Sequence, residues 1–187
     1  MKYNFPVTIE NGLGETLVFK SCEIEDGEEK LIVENSVKPG AGPIMHTHLM
    51  QDEELTVVSG EMTYQVMGEN PKIARKGDTA LFKRGVPHKF WNSGSTELKC
   101  TGWINPANTI VFYLSAIFEA QKKSGKMQPE LFDGAYLITR YKSEYDLPEL
   151  PFFVKNVIMP AVYFLGKVSG KYSHFKDAPD PIKKRIV

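Results

Sequence analysis

The chain has 187 residues, enough for one well-buried domain with an appendage and short for two full domains. Hydrophobic residues make up 42% and charged residues 25%, which excludes a disordered chain. Lys+Arg and Asp+Glu are both 23, so there is no bulk positive field to hold nucleic acid or an anionic membrane, local patches apart, and a nucleic-acid partner is set aside.

Met1 to Gly12 holds no apolar run of signal-peptide length, and Glu10 interrupts it, so the reading is a soluble cytoplasmic protein. From about Lys2 to Ile104 the pattern is short apolar runs between turn residues. Thr16–Lys20, Leu31–Val37, Leu55–Val58, Met62–Val66, Thr79–Phe82 and Leu98–Ile104 are predicted strands, rich in Val, Thr, Phe and Tyr. Many short strands with Gly and Pro turns argue an all-β sandwich or barrel. Cys22 and Cys100 are far apart and lack C-x-x-C spacing, so both are read as buried structural thiols.

After Asn105-Pro106 the period changes. Ile110, Tyr113, Leu114, Ile117 and Phe118 recur at helical spacing, with Asn108 or Thr109 as N-cap and Gly125 as the stop. Glu130 to Tyr145 is a second predicted helix, with Leu131, Ala135, Ile138, Tyr141 and Tyr145 on one face. Phe152 to Val168 is a third, broken or kinked near Pro160. Its apolar stretch is too short and too interrupted to span a bilayer, so no integral membrane segment is expected. The favoured reading packs this helix on the barrel or in a dimer interface. The sharper one has it touch lipid or shield a greasy substrate.

Chemistry concentrates in the histidines, of which there are four. His46 and His48 lie two apart, and on a strand such residues point to one face. Glu53 can add a carboxylate, and His88 comes from a separate run. Three imidazoles and a carboxylate suit Fe, Mn, Ni, Cu, Co or Zn and are poor for Ca or Mg. A His-x-His pair alone carries little weight; the surrounding spacing is what matters. Gln51 and Gln65 are read as surface residues and His174 as a surface histidine. Met45, Tyr64, Phe82, Phe90, Trp91 and Trp103 are divided between core and cavity.

The runs PGAGPIMHTHLMQDEELTVVSG (residues 39–60) and GDTALFKRGVPHKFWN (residues 77–92) resemble the two motifs of the cupin family, with Lys83 standing where the family usually has Pro. The resemblance extends over about the first 105 residues. It implies a mainly β fold, a cupin (RmlC-like) jelly-roll β-barrel over 1–106, followed by about three C-terminal α-helices in an extension over 107–187. It implies one divalent transition metal on His46, His48, Glu53 and His88, with Fe or Mn favoured. Glu53, seven residues before Gly60, is preferred over Glu54, which is expected to face solvent. A loosely held Glu53 could instead be a catalytic base. Gly60 and Gly85 are expected at turns and Asn92 at a loop it holds with its side chain. The expected function is a dioxygenase-like small-molecule metalloenzyme, with a metal-dependent isomerase or a non-catalytic sensing protein as alternatives, and a homodimer as the expected assembly.

Overall fold

The computed structural model describes residues 3–183. Met1, Lys2 and residues 184–187, at the ends of the two expected domain ranges, lie outside the described residues. The strands are β1 (Val7–Glu10), β2 (Glu15–Glu25), β3 (Glu28–Val37), β4 (Thr47–His48), β5 (Asp52–Ser59), β6 (Glu61–Val66), β7 (Lys72–Arg75), β8 (Thr79–Phe82), β9 (His88–Asn92), β10 (Leu98–Asn105) and β11 (Tyr145–Asp146). Helices α1 (Ile110–Ser124), α2 (Leu131–Arg140) and α3 (Met159–Val168) follow the main run of strands. The outcome is a mainly β jelly roll with three helices behind it.

One sheet has the order β1-β2-β3-β10-β5-β8 and a second the order β7-β6-β9, all antiparallel. Phe19, Leu31 and Leu55 of the first and Met62 and Phe90 of the second belong to one buried cluster, so the sheets share a core. Alternation decides which side chains enter it. Along β5, Glu53, Leu55 and Val57 point in, while Glu54, Thr56 and Val58 point out. Along β9, His88, Phe90 and Asn92 point in. Among the strands absent from the predicted set, β1, β7, β9 and β11 are five residues long or shorter, too short to set up a legible period.

Turn chemistry fixes the register. Gly60 has φ 85°, and a Cβ there would stand 2.8 Å from the Leu98 Cα. Asn92 is fully buried; its Nδ2 donates to the Val37 and Thr96 carbonyls at 2.8 Å each, and its Oδ1 accepts from the Gly94 N–H at 2.9 Å. Asn92 therefore holds its loop in place, as expected of an Asn in such a position.

The helical part departs from the sequence reading in several places. Thr109 does occupy the N-cap of α1, but its hydroxyl pairs with the Tyr145 hydroxyl at 3.2 Å rather than with the helix. Gly125 ends α1 in the left-handed conformation. The second helix stops at Arg140, five residues short of Tyr145. The Tyr141 hydroxyl donates to the Pro179 carbonyl at 2.6 Å, and Tyr145 and Asp146 leave the helical path to pair with His48 and Thr47. Tertiary pairing here overrides a helical period. In the third helix a single π-helical turn, Val154–Ile158, comes before Pro160, which sits in the first turn of α3. Pro160 lacks an N–H and its ring crowds the preceding turn, so the distortion falls N-terminal to it. α3 packs on α2 and leaves Phe164 and Val168 exposed, as is Phe153 before the π-helical turn. Among the described residues, no helix is long and apolar enough to cross a membrane.

Smaller corrections concern polar side chains. Gln51, read as a surface residue, is fully buried. Cys100 is buried, with its thiol pushed up to about 12 by burial, but Cys22 is only half-buried. Glu54 is not simply solvated; it accepts from the Trp103 indole at 2.9 Å. His174 is exposed, as expected, and lies 2.9 Å from Asp133.

Two measurements test this packing. Glu15 is buried, and burial raises its carboxyl from an ordinary value near 4.5 to about 7, against the opposing hydrogen bond from Asn11 at 2.8 Å. The folded state then holds a proton that the unfolded chain releases, so stability falls as pH rises from 4.5 to 7, by on the order of 3 kcal/mol. Glu15→Gln should abolish this slope in urea unfolding; an unchanged slope refutes the assignment. Tyr145→Phe removes one of the two acceptors of the buried Gln51 amide and the partner of the Thr109 hydroxyl, and should lower the unfolding free energy by about 1–3 kcal/mol in the same assay.

Candidate metal centre

Three elements bring the four side chains together. His46 and His48 flank Thr47 at the start of β4, Glu53 opens β5 and His88 opens β9. An isolated antiparallel bridge joins His46 to His88, with the two N–H groups each donating to the opposite carbonyl at 2.9 Å. Glu53 is the register partner of Phe82 on β8. One potential ligand atom from each of His46, His48, Glu53 and His88 lies within 4.8 Å of all the others. Glu54 points the other way, so β5 presents only one of its two adjacent glutamates.

Each ring is held by its neighbours. His46 Nδ1 lies 2.8 Å from the Ile44 carbonyl oxygen and His88 Nδ1 lies 2.9 Å from that of Val86. A carbonyl only accepts, so Nδ1 carries the proton in both rings and Nε2 is left with its lone pair. Phe82 stacks on His88 with centroids 4.1 Å apart and planes 5° apart. The Tyr145 ring meets His48 edge-on at 5.8 Å. Such outer contacts fix ring orientation in metal sites.

The electrostatics favour the metal-ready protonation state. Burial, reinforced by the neighbouring imidazoles His88 and His48, lowers His46 to about 3. Burial lowers His48 to about 4, with Glu53 opposing. Burial would raise the Glu53 carboxyl, but the hydrogen bond with His88 and the fields of the three histidines outweigh it and hold it near 2. Two imidazoles are thus neutral and the carboxylate is ionised at neutral pH, as metal ligands must be.

One contact is informative. His88 Nε2 lies 3.3 Å from Glu53 Oε2. With Nδ1 donating to Val86, His88 meets Glu53 either as a doubly protonated ring donating from Nε2 or, with a lone pair on Nε2, across a cation held between them. His48 Nδ1, buried and without a hydrogen-bond partner, lies 3.8 Å from the same oxygen. The residues therefore fit a cation with borderline nitrogen and oxygen ligands.

The histidines also meet a cavity. A space of about 340 Å³ lies between the β4 region of the barrel and the helices, lined by His46, His48, Tyr113, Ile117, Ile138, Tyr145 and Met159 among others. Glu53 and His88 do not line it. The sequence reading placed neither Tyr145 nor Gln51 at the centre. Gln51 donates to the Tyr145 hydroxyl at 3.1 Å, and both belong to a contact between distant segments that no local pattern marks.

Residues 33–104 match the model of the cupin domain. No curated protein matches the sequence. Similar solved structures include an uncharacterized conserved protein with a double-stranded beta-helix domain from Klebsiella pneumoniae, at 23% identity over 58% of this chain and 80% of that one, TM-score 0.42. A Thermus thermophilus protein is 23% identical over 57% of this chain and 90% of its own, TM-score 0.42. A sugar phosphate isomerase from Silicibacter pomeroyi is 17% identical over 56% of this chain and 74% of its own, TM-score 0.45. The cupin match spans β4, β5 and β9, which position the histidines and Glu53, so residues 33–104 of this chain are a cupin domain.

Proposed function

We propose that this protein is a metal-dependent enzyme of dioxygenase-like type that acts on a small molecule, with one divalent transition metal held by His46, His48, Glu53 and His88. The observation that carries this reading is the buried carboxylate facing imidazole nitrogens, beside a cavity into which two of those imidazoles open. When bound, Fe or Mn would supply Lewis acidity and one-electron chemistry toward dioxygen. The chain's own part is to hold the ligand rings and to exclude water. Phe82 and Tyr145 fix two of the rings, and the largely hydrocarbon cavity wall keeps bulk water from the centre. Glu53 serves as a ligand in this reading, because its carboxylate turns to the imidazoles and away from the cavity.

A non-catalytic sensing protein is the alternative, and one observation favours it. β11, from the helical extension, pairs directly with the strand that carries His48, so a change at the metal would reach the extension through backbone hydrogen bonds.

Metal content by mass spectrometry, on protein purified without a metal-affinity column, tests the site. The wild type should carry about one equivalent of Fe or Mn, lost in a His46→Ala/His88→Ala double variant. Failure of the wild type to take up any ion from a panel of divalent metals overturns the assignment.

A further inference from the structure

Resting on the reading above, we infer that the cavity between the barrel and the helices takes an uncharged, hydrocarbon-rich substrate, and that phosphorylated or otherwise anionic molecules are excluded. The wall contains no Lys or Arg. Its two acidic residues are unavailable as cation sites for a ligand: Asp146 is paired with Lys155 at 2.6 Å, and Glu15 is buried and hydrogen-bonded to Asn11. Away from the histidines, an anion entering here would lose its hydration and meet an apolar wall with two carboxyls and no Lys or Arg to receive it. Leu114, Ile117, Phe118, Ile138, Leu147 and Met159 supply the surface that would replace water around a hydrocarbon body. One polar anchor remains away from the histidines. Gln121 is buried, its Nε2 donates to the Met127 carbonyl at 3.0 Å, and its Oε1 has no partner. A hydroxyl or N–H on the substrate would satisfy it. The substrate class is then a largely apolar molecule with one oxygen atom directed at His46 and His48 and a hydrogen-bond donor at the Gln121 end.

The uncharged fluorophore N-phenyl-1-naphthylamine reports on this site. Its emission should rise on addition of the full-length protein, and 1-decanol should displace it while glucose 6-phosphate does not. Ile117→Trp, which fills the cavity, should weaken probe binding at least tenfold; Ile138→Phe is a second filling variant if the first does not fold. Phe164→Ser, on the exposed face of α3, should leave binding unchanged. Displacement by glucose 6-phosphate, or loss of binding in Phe164→Ser with none in the filling variants, overturns the inference. Metal analysis of the same samples separates the two readings. Probe bound and displaced by decanol in a protein that takes up no metal leaves the substrate class standing and removes the metal; metal held without probe binding does the reverse.

An independent observation carries a second proposal: the geometry points to α3 and the turn before it as a face that lies on an anionic lipid surface. Phe152, Phe153, Phe164 and Val168 are 78%, 62%, 62% and 65% exposed, and Val157, Ile158 and Leu165 are exposed beside them. Residues 151–176 contain four lysines, Lys155, Lys167, Lys171 and Lys176, and no Asp or Glu, in a chain of zero net charge. Lys167, Lys171 and Lys176 have no ion-pair partner among the described residues. Large apolar side chains flanked by lysines, without acids, suit the headgroup boundary of an anionic bilayer. A second copy meeting the same face across a two-fold axis would set these lysines against each other, which disfavours that occupant. Flotation with phosphatidylcholine vesicles, with and without phosphatidylglycerol, tests this. The full chain should float only with the anionic vesicles, and Phe164→Ser/Leu165→Ser should not float. Equal flotation with both vesicles, flotation with neither, or a wild-type dimer that this double variant turns into a monomer overturns the proposal.

Discussion

Glu53 brings a negative charge into a site where its residue is 8% exposed, and a carboxylate in that position must be compensated or it will take up a proton. The compensation comes from three imidazoles supplied by β4 and β9, whose own burial keeps at least His46 and His48 neutral. Neutral rings provide dipoles and lone pairs but no full counter-charge. Two of the three rings thus offer lone pairs without a counter-charge beside the carboxylate, a donor set that could hold a divalent cation. The surroundings serve that demand. The His46–His88 bridge ties the two histidine-bearing segments together, Phe82 stacks flat on one ring, and the carbonyls of Ile44 and Val86 orient two of them.

The barrel and the clustering of His46, His48, Glu53 and His88 were legible because both are written in local spacing. His46 and His48 share a strand face, Glu53 precedes a positive-φ Gly60 at a fixed distance, and Asn92 closes its loop with its side chain. What was illegible depends on residues far apart in sequence. Tyr145 fits a helical period with Leu131, Ile138 and Tyr141, and only the pairing of β11 with β4 removes it from the helix. Gln51 is polar and follows a short strand, which reads as surface; it is buried because Glu144 and Tyr145, from beyond two helices, receive its amide. Composition likewise hides the lysine-rich, acid-free stretch around α3, since acids elsewhere bring the sum to zero.

The helical extension is more than a cover. Glu144 is fully buried; its backbone carbonyl accepts from the Leu49 N–H at 2.7 Å, and its carboxylate accepts from the Ile182 and Thr109 N–H groups. One residue thus joins the ligand-bearing segment, the start of α1 and the far end of the described chain. Tyr145 beside it stacks on Tyr113 of α1 at 3.9 Å while meeting His48 edge-on. Tyr113 and Tyr145 therefore belong both to the cavity wall and to the packing behind His48, so a change in the shape of one is felt by the other.

The pairing of β4 with β11 also orders events in time. Synthesis supplies all four clustered side chains once His88 has been made, and the His46–His88 bridge can form then, yet β4 gains its paired strand only when Tyr145 emerges; the nearby Gln51–Tyr145 contact spans 94 residues. Closing a loop that long is slow compared with forming the hairpins of the barrel. On the ribosome the barrel can therefore collapse first, with its ligand-bearing edge open, and the centre becomes rigid only when the extension arrives to seal it.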